Sequence, residues 1–156
     1  MDARLNPYDN ATTMKFVKFI NSSGAVITDS TLPAGTQDLV KIRASQINGC
    51  SGCLDMHTKD AEHRGESPVR LHLVGAWREA TVFTEAEKAA LELTEQGTRL
   101  ADGSGVSDAA WENAARYYDD EQLAALVCLI ALINAYNRMN VITRQPAGDY
   151  VPGQWG

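Results

Sequence analysis

Apolar positions along this chain fall at helical spacing in one segment after another. Nowhere does the strict alternation of a half-buried strand run for more than a few residues. From Thr12 to Asn21, Met14, Val17, Phe19 and Ile20 sit among polar residues, and Ser22-Ser23-Gly24 predicts an end. After a loop through Pro33 and Gly35, Leu39, Val40, Ala44 and Ile47 mark a second helix from Thr36, stopped by Asn48-Gly49. Ser51 to Arg64 follows, closed by Gly65, and Ser67-Pro68 opens a short helix to about Ala76. Thr84-Glu85-Ala86-Glu87 is a capping-box pattern, with Ala86, Ala89, Ala90, Leu93 and Leu100 as the apolar stripe behind it. Ser107 begins a helix through Trp111 to Tyr118. Asp119 with Gln122 caps the last and longest, Leu123 to about Met139. The pattern predicts an all-α protein.

From Leu123 to Ile133 the final helix is apolar nearly all round, as in a helix central to a core or covered by another subunit. In a chain of 156 residues this favours a homo-oligomer. No internal repeat, low-complexity tract or long Pro/Gly-rich linker divides the sequence, so residues 1–156 are expected to form a single domain. With 14 Lys+Arg against 20 Asp+Glu and no basic run, the chain lacks the clustered cations that sequence-independent nucleic-acid binding needs. The run Leu123–Ile133 is too short to span a bilayer, and the polar start around Asp2 does not resemble a secretion signal. The expectation is a cytoplasmic protein with no membrane partner.

Cysteines stand at 50, 53 and 128, a poor disulfide framework for a secreted fold. In a reducing compartment a close pair points to redox chemistry or metal binding. If Gly49 ends one helix and Cys50 opens the next, both thiols of Cys50-Ser51-Gly52-Cys53 lie in a first helical turn. Free N–H groups and the positive end of the helix dipole there favour a thiolate. His57, four residues after Cys53, falls on the same face one turn later and can exchange a proton with a thiol. Two Cys and one His also supply three of the four ligands of structural zinc, with Asp55 or His63 as a possible fourth. The absence of a second C-x-x-C or an H-x-x-x-H ranks zinc below redox. His63 and His72 read as surface or core packing, and Cys128 as a small hydrophobe inside the apolar helix.

The stretch Lys41-Ile-Arg-Ala-Ser-Gln-Ile-Asn-Gly-Cys50-Ser-Gly-Cys53-Leu-Asp-Met-His57 closely resembles the signature of the AhpD-like alkylhydroperoxidases of the carboxymuconolactone decarboxylase-like superfamily. Arg4-Leu5-Asn6, Trp77-Arg78-Glu79, Phe83 to Leu91 and Ile133 to Arg138 extend the resemblance over most of the chain. It implies an AhpD-like helical subunit assembled into trimers or hexamers, reducing hydroperoxides with a dithiol and no cofactor. It also implies a lipoyl-bearing or thioredoxin-like thiol reductant as partner. By the same resemblance Cys53 is peroxidatic and Cys50 resolves it. His57 joins a proton relay with a carboxylate twelve residues before the first cysteine, here Asp38. The family usually has Glu at that position, and its best-characterised members have His where Gly52 stands. Helix-dipole reasoning alone favours Cys50 as the more acidic thiol; the spacing to His57 favours Cys53. Keeping both thiols separates this chain from the decarboxylase branch.

Overall fold

The structure, a computed structural model, describes residues 2–154. Among them are seven α-helices, two single 3-10 turns and no strand: α1 Ala11–Thr28, α2 Ala34–Asn48, α3 Ser51–His63, α4 Pro68–Leu73, α5 Glu85–Thr98, α6 Asp108–Ala115 and α7 Asp120–Thr143. The predicted starts are built as the sequence wrote them. Thr84 and Glu87 close a capping box on α5, Asp119 and Gln122 close another on α7, and the Ser107 hydroxyl caps α6.

Several boundaries differ from expectation: α2 starts at Ala34, before Thr36, α4 gives way to a 3-10 turn at Val74–Ala76, and Leu100, expected in the α5 stripe, lies past the end of α5 and is exposed. α1 does not end at Ser22-Ser23-Gly24 but runs to Thr28. The Ser22, Ser23 and Thr28 hydroxyls donate to carbonyls four residues back, so these polar residues are satisfied inside the helix. α7 continues one turn past Met139 to Thr143, where Arg144 takes a left-handed conformation. α6 stops at Ala115, because the amides of Tyr117 and Tyr118 both turn back onto the Ala114 carbonyl.

α2 is the element on which the others pack: α7, α5 and α3 are its main neighbours. Its Val40 enters one apolar cluster with Leu93 of α5, Ala114 of α6 and Leu126, Leu129 and Ile130 of α7. Its Leu39 and Ile42 face a second cluster with Ala61, Val74, Trp77, Phe83 and Leu91. By length and composition α7 is apolar enough to cross a membrane. Here it is the spine of the first cluster, and its outward stripe of Ala124, Val127, Cys128 and Ala131 is exposed. Cys128 is therefore not a core residue. The helix that carries it is apolar on two faces, and only one of them meets this chain's core.

Polar groups fix how α2 sits. On α7, Asn134 and Asn137 accept hydrogen bonds from the Asn48 amide at 3.0 and 2.9 Å. Asn137 donates to Ser45 Oγ at 3.0 Å, and Asn134 to Thr98 Oγ1 at 3.0 Å. On the other side Glu95 of α5 receives Arg43 Nε at 2.7 Å, Trp77 Nε1 at 2.8 Å and the Arg78 guanidinium at 2.6 Å. Burial alone would raise the Glu95 pKa. The hydrogen bonds from Arg78, Trp77 and Arg43 outweigh it and hold the carboxyl below its ordinary value.

Removing this anion strands the largely buried Arg43. Glu95→Ala is expected to destabilise the protein by about 3–5 kcal/mol in urea unfolding. Because the folded pKa is depressed, Glu95's contribution is present above the ordinary glutamate range and fades as pH falls below it, so the gap between variant and parent should shrink in acid.

Candidate active site

Gly49 at φ 65° ends α2, a left-handed conformation that glycine adopts without a Cβ penalty. The Cys50 amide then donates back to Ser45 O at 3.0 Å. This sharp turn delivers Cys50 to the N-cap of α3 and Cys53 to its first turn, as the Gly49–Cys50 boundary predicted. The Cys50 sulfur accepts the Cys53 amide at 3.4 Å. The two Cα atoms are 5.3 Å apart, and the sulfurs form a disulfide.

Each cysteine is only 1% exposed. Small flanking residues do not leave the pair open, because a distant part of the chain covers it. Residues 144–154, beyond α7, run as a strap along α3. Asp55 Oδ2 accepts the Gly148 and Tyr150 amides at 2.6 and 3.2 Å, and Lys59 Nζ, paired with Asp55 at 2.6 Å, donates to both of those residues' carbonyls. Asp60 takes the Tyr150 hydroxyl at 2.9 Å and the Gly153 amide at 3.2 Å. A Cβ on Gly52 would stand 3.3 Å from Pro146 O, so a hydrogen at that position lets the strap lie directly on the C-x-x-C turn. Between strap and turn is a cavity of about 430 Å³ lined by Cys50, Ser51, Gly52, Asn140, Arg144 and Gln145 among others.

His57, one turn after Cys53 on α3, lines a second cavity of about 350 Å³ with Lys41, Asp60, His63, Arg64 and Tyr150. It makes no hydrogen bond to another described residue. Burial, reinforced by the positive charges of Lys41 and Arg64, pushes its pKa down to about 3, so the imidazole is neutral at working pH. Asp38 is buried and engaged by Arg64, at 2.6 Å from Nη2 and 3.3 Å from Nε, with Lys41 at 4.0 Å. No hydrogen bond joins Asp38 to His57. His63 and His72 are both on the surface, as expected. No cluster of three or more His, Cys, Asp or Glu suited to a metal occurs among the described residues.

Sequence reasoning missed two components. One is the strap, whose anchors Asp55, Lys59 and Asp60 look like ordinary surface charges on α3. The other is Asn140 of α7, whose Nδ2 donates to Cys53 Sγ at 3.3 Å. The recurrence of Asn at 134, 137 and 140, three apart on one helix face, was the available signal.

The sequence profile of the carboxymuconolactone decarboxylase family matches residues 16–96, half of the chain and all of α2, α3 and the turn between them. The chain belongs to this family. Two curated relatives carry no assigned function. YdfG of Bacillus subtilis is 42% identical over 112 residues, covering 72% of this chain and 76% of its own. YnjA of Escherichia coli is 30% identical over 118 residues, covering 76% and 64% respectively. The crystal structure of ATU0492 from Agrobacterium tumefaciens, a protein of unknown function suggested to be the antioxidant defence protein AhpD, superposes with a TM-score of 0.88. That match is at 31% identity, over 96% of this chain and 100% of that one. The AhpD-like resemblance of the Lys41–His57 stretch thus extends to the whole fold. The debrominase Bmp8 shares the fold alone, at a TM-score of 0.78 and 17% identity over 88% of this chain and 75% of that one.

The depressed His57 pKa makes a prediction about this family member's acid behaviour. In the unfolded chain His57 gains a proton as pH falls through its ordinary value of 6.5, whereas in the folded state it stays neutral to about 3. Between those limits unfolding takes up one extra proton, and stability should fall with pH by up to about 1.4 kcal/mol per unit. His57→Asn should lack this component. Urea unfolding of both proteins at pH 7 and pH 5 measures it, and parallel losses would contradict the assignment.

Proposed function

We propose that this protein is a thiol-dependent peroxidase that reduces alkyl hydroperoxides through the Cys50/Cys53 dithiol. The observation that carries the reading is a disulfide-linked pair at the first turn of α3, with the neutral imidazole of His57 one turn further along the same helix. In the reduced protein the Cys53 thiolate attacks the terminal peroxide oxygen, the O–O bond breaks, and ROH leaves with a proton. The resulting Cys53 sulfenic acid is attacked by Cys50, water departs, and the disulfide seen here forms. With its pKa held near 3, His57 is too weak a base to keep the thiol proton; in this scheme it serves as a neutral hydrogen-bonding group, and the proton released by Cys53 reaches the leaving oxygen through solvent. Asp38, held by Arg64, acts in this scheme by keeping the Lys41–Arg64 charge near His57 in balance rather than by direct contact. A lipoyl-bearing or thioredoxin-like dithiol protein of the cytoplasm returns the pair to the reduced state.

A second reading, a dithiol/disulfide oxidoreductase or redox sensor that does not use peroxide, has one specific observation in its favour. The cavity beside the pair is lined by Cys50 and not by Cys53, which suits exchange with an incoming thiol as well as it suits a peroxide.

Consumption of an organic hydroperoxide by the pre-reduced protein, followed with thiol loss, separates the two. The peroxidase loses about two thiols per peroxide and turns over with a dithiol reductant. Cys53→Ser is expected to abolish turnover, and thiols that survive excess peroxide would reject the peroxidase reading in favour of the second.

The same proposal includes a homo-oligomer, trimer or hexamer. α1 buries only Ile27 and exposes Met14, Phe16, Phe19 and Val26, and α7 adds the exposed stripe that holds Cys128. Apolar faces of this kind are covered in assembled proteins. Analytical ultracentrifugation should show an assembly in which Cys128 reacts slowly with a thiol reagent. A monomer with a freely reactive Cys128 would contradict it.

A further inference from the structure

We propose that Asn140 is the hydrogen-bond donor that stabilises the Cys53 sulfur as a thiolate, and that this contact decides which sulfur of the pair carries the negative charge. The inference rests on the redox reading above and adds to it a residue on a different helix. The observations converge on one atom. Cys53 is 1% exposed, so its sulfur has almost no access to water that could solvate an anion. A buried anion needs a donor, and α3 does not supply one. The Cys53 amide is given to Cys50 Sγ at 3.4 Å, and no α3 amide donates to Cys53 Sγ. His57 is neutral and offers no imidazolium to pair with the sulfur. Among the described residues, the donor that reaches Cys53 Sγ is Asn140 Nδ2, at 3.3 Å.

The donor is held in place. Asn140 lies in the last turn of α7, where the Gln145 amide at 2.9 Å and the Arg144 amide fold back onto that turn, and Asn137 one turn earlier is locked to Asn48 and Ser45. It also lines the cavity beside Cys50. When a dithiol reductant enters, one of its thiolates attacks the disulfide, the Cys50–Cys53 bond breaks, and Cys53 departs as a thiolate. The reductant's second thiol then resolves the mixed disulfide, so two electrons pass from reductant to protein, one of its two protons goes to Cys50 and the other to solvent while Cys53 stays ionised. A sulfur that already faces an N–H is the better leaving group, because the hydrogen bond strengthens as charge develops on it. The same contact keeps Cys53 ionised in the reduced protein. It offsets the helix-terminus advantage of Cys50 and reconciles the two assignments that dipole and spacing give separately.

The test titrates Cys53 by thiolate absorbance in a Cys50→Ser/Cys128→Ser background, in which the serine at position 50 keeps the N-cap acceptor. Asn140→Leu keeps the side-chain volume and removes the donor, and Asn140→Ala removes both. The expected result is a rise of about one unit in the Cys53 pKa in both variants, a tenfold loss of thiolate. In the chain with its native pair, the disulfide–dithiothreitol equilibrium should shift about tenfold against reduction, close to 30 mV. An unchanged pKa in Asn140→Leu overturns the inference, and so does a shift in the alanine variant alone, which would mark a packing role. If the leucine variant does not fold, Asn140→Asp keeps the shape and turns donor into acceptor, and an unshifted Cys53 there overturns it equally. No peroxide enters these measurements. A protein that fails to reduce hydroperoxides therefore rejects the peroxidase reading while leaving this result to stand or fall by itself.

Discussion

The amide stripe on α7 is the constraint from which the rest of the structure follows. Asn134 and Asn137 are polar side chains in a helix whose other buried residues are Leu, Ile and Ala, and an unpaired amide there would cost about 1–3 kcal/mol. Their partners are Asn48, Ser45 and Thr98, so α2 must end where Asn48 can reach both asparagines. Hydrophobic burial along α2 would tolerate sliding or rotation by a fraction of a turn. The directed hydrogen bonds do not. With α2's end fixed, Gly49 turns the chain and Cys50 arrives at the start of α3 in one place only.

A site made this way differs from a reactive thiol at an open helix terminus. The sulfurs are enclosed by α7 on one side and by the strap on the other, while the imidazole one turn along faces a separate, cation-lined cavity. Burial, reinforced by the charges of Lys41 and Arg64, keeps that imidazole neutral, and Lys41 is itself driven below its ordinary pKa, chiefly by burial. Enclosure raises the cost of forming an anion and also magnifies each donor aimed at it, since a hydrogen bond in a low-dielectric setting is worth more than one in water. Reactivity in such a place is governed by a few fixed dipoles rather than by solvent.

How much of this was legible in the sequence depends on the range of the interaction. Capping boxes at Thr84 and Asp119, the Gly49 stop and the C-x-x-C register with His57 are local patterns, and the fold reproduces them. The overrun of α1 past Ser22-Ser23-Gly24 was not readable, because hydroxyls that end helices in isolation can also bond back within them. The exposure of Cys128 was misread because an all-apolar helix does not announce which of its faces meets its own core. The pairing of Asp38 with Arg64 and the contact of Asn140 with Cys53 join residues far apart in sequence. Composition carries no trace of such pairs, and only a repeat such as Asn134–Asn137–Asn140 hints at the second.

The close approach of Gly52 to Pro146 O ties together two segments nearly a hundred residues apart. A Cβ at position 52 would stand tighter against that carbonyl than most such contacts, so a subunit with histidine between its two cysteines needs its strap moved outward by a few tenths of an ångström. The middle of a C-x-x-C motif is usually examined for what it does to the thiols. In this fold it also sets how closely the chain's far end can lie against the thiols.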